Sequence, residues 1–85
     1  MYKNRAPDGK NNICGRKISE YRKRMPGSPS QREFADTLQI AGLDIDKNAV
    51  QRIECGRRIV TDIELCVIAK ILNVSYDELL TPPGG

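Results

Sequence analysis

The chain has 85 residues, of which 39% are hydrophobic and 29% charged, with a formal net charge of +3; this balance fits one small globular domain. It has no uninterrupted apolar run long enough to cross a membrane and no secretory signal, so we expect a cytoplasmic protein without a membrane partner. Three cysteines without a CxxC pair and no histidine argue against a zinc site and against histidine-based catalysis, so we expect no enzyme, no cofactor and no small-molecule substrate.

The charge is distributed unevenly along the chain. Residues 1–24 hold eight basic and two acidic residues, a net of +6; residues 25–58 are balanced, and residues 59–85 carry a net of −3. A basic end beside an acidic end indicates that part of the surface faces a polyanion. Solvated helix faces and a basic tail would explain the same charges.

The first eleven residues combine Pro, Gly, Asn and charge, and they predict a flexible basic arm. Between Ile13 and Arg24 the apolar residues have helical spacing, which predicts a first helix. Those residues are Cys14, Ile18 and Tyr21. The sequence Met-Pro-Gly-Ser-Pro after Arg24 ends it.

A second helix begins at Ser30, because Ser30-Gln31-Arg32-Glu33 is an S-x-x-E capping box. Its predicted apolar face consists of Phe34, Ala35, Leu38 and Ala41. Gly42 is suited to end the helix in the left-handed conformation. Leu43 and Ile45 in the following connector are apolar, so we expect the core to anchor it.

Asp46 predicts the N-cap of a short third helix that ends near Cys55-Gly56. Ala49, Val50 and Ile53 point inward at helical spacing. Asn48 and Gln51 point most directly outward, and Lys47 and Arg52 flank them.

Two more capping boxes, Thr61 to Glu64 and Ser75 to Glu78, predict a fourth and a fifth helix. The fourth helix is apolar on more than one side, so it lies either at the centre of the core or against a partner. We expect Cys14 and Cys66 to be buried and Cys55 to be exposed. Residues 82–85 predict a frayed tail.

The outer face of the third helix carries the residue types that read DNA. Asn and Gln can pair bidentately with adenine, and Arg or Lys with guanine, in the major groove. Arg57 and Arg58 follow directly, where they can meet phosphates. The alternative is ordinary solvation of an amphipathic helix.

Residues Cys14–Leu80 resemble the Cro/C1-type helix-turn-helix domain of phage repressors and related bacterial regulators. The matching elements are Ile18-x-x-Tyr21-Arg22, Ser30-Gln31-x-x-Phe34-Ala35, Val50-x-x-Ile53-Glu54-x-Gly56 and Ile68-Ala69-x-x-Leu72-x-Val74-Ser75-x-x-Glu78-Leu79-Leu80. The resemblance implies an all-α, five-helix, lambda-repressor-like domain over residues 12–81. It also implies binding to double-stranded DNA as a homodimer on a two-fold-related site.

The resemblance assigns roles to individual residues. The base-reading residues would be Lys47, Asn48, Gln51 and Arg52, and the phosphate-binding residues Gln31, Arg57 and Arg58. Arg22 and Glu54 would form an ion pair that holds the third helix. Independently of the resemblance, arm residues Lys3, Arg5 and Lys10 could follow phosphates or enter the minor groove, and the alternative is a disordered terminus that takes no part in binding.

The chain departs from the family between Ala35 and Val50, which are fifteen positions apart, farther than in the family's compact form. We therefore expect an extended connection between helices two and three, and this affects the docking angle of the third helix.

These observations predict a sequence-specific transcriptional regulator, with repression of a promoter as the expected mode. One alternative is an antitoxin of the same fold, which binds a protein partner as well as DNA. Another is a protein-interaction module that does not bind DNA. Val67, Ile71 and the helix-five region are candidate dimer contacts.

Overall fold

Five helices and no strand are present in residues 9–81, the part of the chain that the computed structural model describes. Helix α1 spans Gly15–Arg24, α2 Gln31–Ile40, α3 Lys47–Glu54, α4 Asp62–Leu72 and α5 Tyr76–Leu80. The predicted all-α, five-helix fold is confirmed. Lys3, Arg5 and the predicted tail at 82–85 lie outside the described residues. Within the described part, no helix has the length and hydropathy needed to cross a membrane.

Reciprocal side-chain caps start α2 and α4, as the capping boxes predict. The Ser30 hydroxyl accepts a hydrogen bond from the Glu33 amide at 3.1 Å, and the Glu33 carboxylate accepts one from the Ser30 amide at 2.9 Å. Thr61 and Glu64 repeat this arrangement at the start of α4. Each cap satisfies two backbone amides that the helix leaves without a partner.

Helices α3 and α5 begin at caps without the reciprocal bond, in which only the N-cap side chain accepts from a backbone amide. The Asp46 carboxylate accepts from the Ala49 amide at 2.8 Å, and the Ser75 hydroxyl accepts from the Glu78 amide at 3.2 Å. The Glu78 carboxylate does not return to the Ser75 amide but accepts from the Ser75 hydroxyl at 3.3 Å. The third capping box is therefore only half formed.

The core draws buried apolar residues from all five helices and from the connector between α2 and α3. Its members include Ile18, Phe34, Leu38, Ile53, Ile68 and Leu79. Helix α3 packs against both α1 and α2, and α5 packs against α1 and α4. This arrangement holds α3 on two sides and leaves its third side at the surface.

The connector after α2 is anchored in the core, as its apolar residues predict. Leu43 and Ile45 are buried, and Gly42 adopts the left-handed conformation with φ +97°. The predicted apolar face of α2 is wrong at Ala41. The helix ends at Ile40, and Ala41 lies beyond it and is exposed. The next buried apolar residue along the chain is Leu43, in the connector.

Helix α4 buries one side and exposes the other. Ile68, Ala69 and Leu72 are buried, while Ile63 is 71% exposed. Cys66 is exposed, which corrects the prediction that it is buried. Because α4 is apolar around most of its circumference, helical spacing alone did not show which apolar side faces the core.

The other two cysteines lie as predicted: Cys14 is buried and Cys55 is exposed. Burial raises the pKa of the Cys14 thiol to about 11, so this thiol stays protonated near neutral pH.

Candidate nucleic-acid interface

The outer side of α3 presents four polar side chains to solvent, and we call this set the recognition face. Its members are Lys47, Asn48, Gln51 and Arg52, all exposed. Within residues 9–81 none of the four makes a side-chain hydrogen bond or ion pair. Their amide and cationic groups are therefore available to an external ligand.

The opposite side of α3 holds the helix in place. Ala49, Val50 and Ile53 are buried, as their spacing predicts. These residues fix the rotation of the helix about its axis. The recognition face consequently has a defined direction and includes no acidic residue.

A cleft of about 400 Å³ joins the N-terminal half of the recognition face to α2. Arg32, Asp36 and Gln39 line it from α2, opposite Lys47 and Asn48 of α3. Arg32 is not among the predicted site residues, although the spacing of 32, 36 and 39 places these residues on one side of α2. Arg32 adds a cation beside the recognition face, and Asp36 and the N-cap residue Asp46 add carboxylates to the same cleft.

A buried ion pair fastens α3 to α1. Arg22 Nε lies 2.7 Å from Glu54 Oε2 and Arg22 Nη2 lies 3.0 Å from Glu54 Oε1. The two side chains are only 9% and 6% exposed. Arg22 Nη1 also donates to the Pro29 carbonyl at 2.8 Å. The structure thus contains the pair that the family resemblance implies, and the Glu54 charge is buried and paired with Arg22.

Gln31, a predicted phosphate ligand, takes part in the same network. Its Nε2 donates to Glu54 Oε1 at 3.0 Å. The side-chain amide has two N–H groups, so one remains for an external acceptor. Gln31 is also the first residue of α2, where backbone amides and the helix dipole favour an anion.

The two arginines after α3 have different surroundings. Arg58 donates to both carboxylate oxygens of Glu64, each at 2.9 Å, and its side chain is 31% exposed. The exposed Arg57 side chain makes no hydrogen bond or ion pair within the described residues. Arg57 is therefore available for a phosphate, whereas Arg58 fastens the start of α4 to the turn before it.

The carboxyl group of Glu64 shows how this fastening is maintained. Partial burial would raise the pKa of Glu64, but hydrogen bonds from Arg58 and from Thr61 outweigh that effect and lower it. The charged form of Glu64 is therefore favoured in the folded protein, and this carboxylate holds the Arg58 guanidinium in an ion pair.

Part of the predicted arm lies against the C-terminal end of α3. A β-carbon added at Gly56 would come within 2.6 Å of Lys10 Cδ, so the Lys10 side chain lies directly over this glycine. Asn11 is hydrogen-bonded to the turn after α3. Residues 10 and 11 of the predicted arm therefore contact the turn after α3.

No family model, curated protein or solved structure matches this chain. Its function is therefore inferred from the residues and their geometry.

Proposed function

We propose that this protein is a sequence-specific regulator that binds double-stranded DNA in the cytoplasm and represses transcription. Helix α3 enters the major groove in this proposal. The observation that carries it is the recognition face, whose four exposed side chains have no partner in the described part of the chain. Asn48 and Gln51 suit adenine, whereas Lys47 and Arg52 suit guanine.

The electrostatics around α3 support a polyanionic ligand. Lys47, Arg52 and Arg57 are exposed around the helix, and Arg32 lies across the cleft. Glu54, the acidic residue of α3, is neutralised by Arg22. Phosphate contacts from such cations supply most of the affinity of a DNA-binding protein, and base contacts supply its specificity.

We further propose that the protein binds DNA as a homodimer. A two-fold dimer would place two α3 helices about 34 Å apart, one turn of the duplex. Support comes from large apolar residues at the surface near α4 and α5, namely Ile59, Ile63, Tyr76 and Leu80. Tyr76 and Leu80 belong to the helix-five region that the sequence suggested as a dimer contact, and Val67 and Ile71, also suggested, are half-buried against the core.

Retention on a random-sequence duplex at low salt tests the proposal, with Arg52→Glu as the variant and Lys70→Glu as its matched control. Both variants change the net charge equally at exposed positions, but Lys70 lies on α4, away from the recognition face. We expect wild type and Lys70→Glu to be retained and Arg52→Glu to elute much earlier. Equal elution of the two variants would argue against the role of α3.

A protein-interaction module is the second candidate, and the exposed Ile63 and Ile59 are the observation that favours it. This candidate predicts no retention of the wild-type protein on duplex DNA at low salt. An antitoxin would show both properties, namely DNA retention and co-purification with a protein partner.

A further inference from the structure

Two asparagines ahead of α1 bind the turn that follows α3. The Asn11 amide donates to the Gly56 carbonyl at 2.8 Å, and Asn11 Nδ2 donates to the Arg57 carbonyl at 2.7 Å. Asn12 Nδ2 donates to the carbonyls of Ile53, at 3.1 Å, and Arg58, at 2.7 Å. We call these two residues the asparagine clasp.

The clasp also fixes the start of α1. Asn12 Oδ1 accepts from the Gly15 amide at 2.8 Å, so one side chain joins the start of α1 to the end of α3. The two helices approach so closely there that a β-carbon on Gly15 would overlap the Ile53 carbonyl oxygen. Any side chain at position 15 would separate them.

The clasp acts on the backbone of Arg57 and leaves its side chain free. The Arg57 amide donates to the Arg52 carbonyl at 2.8 Å, and the Arg57 carbonyl accepts from Asn11. Both peptide groups of Arg57 are therefore held, one by α3 and one by the clasp. The exposed guanidinium has no partner in the part of the chain that the structure describes.

The surrounding charge favours a phosphate at this point. The C-terminal end of a helix carries partial negative charge on carbonyls without partners, which repels anions. Here Asn12 adds a second donor to the Ile53 carbonyl in the last turn of α3, and Asn11 donates to the Gly56 and Arg57 carbonyls in the turn that follows the helix. The end of α3 is thereby made less repulsive to a DNA backbone.

We infer that Asn11 is a positioning residue for DNA binding, which holds Arg57 where its guanidinium meets a phosphate at the edge of the major groove. This inference rests on the proposed function. Without the Asn11 side chain, the Arg57 carbonyl loses its partner and the turn gains freedom that DNA binding must remove. Ordering one side chain at an interface costs enough to weaken binding roughly two- to tenfold.

A double-mutant cycle between Asn11→Ala and Arg57→Ala tests the inference. Asn11→Ala keeps the backbone bond from residue 11 to Gly56, so we expect a folded protein with weaker affinity for every duplex sequence. If Asn11 acts through Arg57, then Asn11→Ala weakens binding in the wild type but not in Arg57→Ala. Equal fold-losses in the two backgrounds would overturn the inference, because a general structural effect is additive.

Amide hydrogen exchange provides a second readout that does not depend on DNA. We expect faster exchange at the Arg57 amide in Asn11→Ala, with unchanged exchange in α4. Unchanged exchange at Arg57 would overturn the positioning role. If the wild-type protein binds no duplex, the proposed function fails and this inference fails with it; if it binds and the cycle is additive, only the inference fails.

Discussion

The scaffold that holds α3 and the exposed surface near it both contain arginines, but these arginines act differently. In the scaffold, Arg22 forms a bidentate pair with Glu54 of α3, and Arg58 forms one with Glu64 at the start of α4. At the surface, Arg52 of the recognition face and Arg57 of the turn after α3 are exposed and lack a side-chain partner among residues 9–81. Arginine therefore stabilises the fold at Arg22 and Arg58 and is available for DNA at Arg52 and Arg57. Substitutions at the two pairs of positions should affect different properties.

The largest effect is expected on the free energy of unfolding, from a substitution at Arg22 in the scaffold. Arg22→Ala leaves the buried Glu54 carboxylate without its charged partner, which costs about 3–5 kcal/mol. A small domain has a free energy of unfolding of only about 5–15 kcal/mol, so the variant should be close to unfolding. Urea denaturation followed by circular dichroism measures the loss.

The double substitution Arg22→Met with Glu54→Leu is the matched control. Removing both charges together leaves no buried ion alone, so we expect a smaller loss than in Arg22→Ala. A double variant as unstable as the single one would mean that Arg22 acts by packing and not by its charge.

The second largest effect is expected at Arg52 on the recognition face, where a substitution should reduce discrimination between bases. Arg52→Ala should cost about 1–3 kcal/mol of preference between a selected duplex and a scrambled one. Because Arg52 is exposed and has no partner in the described part of the chain, the free energy of unfolding should change little. Competition binding measures the preference; a lower midpoint of unfolding with unchanged preference would contradict the assignment.

Arg57 and Arg58 provide a sharper comparison, since they are adjacent. Arg57→Ala should weaken binding to all sequences alike and reduce the slope of log affinity against log salt by about 0.9, without changing the melting temperature. Arg58→Ala should lower the melting temperature, because it breaks the link to Glu64, and should leave more of the salt dependence intact. An altered sequence preference in Arg57→Ala would show that Arg57 contacts bases.

The smallest effect expected is a loss of stability in acid from the caps of α2 and α4. The pKa values of Glu33 and Glu64 are lowered in the folded protein, Glu33 chiefly by its bond from the Ser30 amide and Glu64 by its bonds from Arg58 and Thr61 against the opposing effect of burial. Their contribution is therefore present above the ordinary pKa of 4.5 and is lost as the pH falls through the lower native values.

Urea denaturation at a series of pH values measures this dependence. Glu33→Gln with Glu64→Gln should be less stable than wild type at neutral pH and should lose less stability in acid. Parallel curves for the two proteins would show that other carboxyl groups govern the acid response.

The elements of the fold were predictable because their signals are local. Helices α2 to α5 each begin at a side chain that caps the backbone amide three residues later, as Ser30 caps Glu33. The inward set Ala49, Val50 and Ile53 follows from helical spacing in a helix with one apolar side. Spacing could not orient Cys66, because α4 is apolar on several sides.

Within the candidate site, the sequence predicted which side chains are exposed, but it did not predict which of them form ion pairs or hydrogen bonds. The four residues of the recognition face follow from the helical period. Arg57 and Arg58 are adjacent and identical in chemistry, and only the folded position of Glu64 separates their roles. The asparagine clasp joins residues 46 positions apart, Asn11 with Arg57 and Asn12 with Arg58, which no local pattern reveals.

Selection of duplexes from a random pool, with wild type and the double variant Asn48→Ala with Arg52→Ala in parallel, tests most directly whether α3 reads DNA. We expect the wild-type protein to enrich a common motif, with two-fold symmetry if it acts as a dimer. The double variant should remain folded and keep its salt-dependent affinity but lose preference at the positions that α3 contacts. Enrichment of the same motif by both proteins, or of no motif by the wild type, would contradict the account.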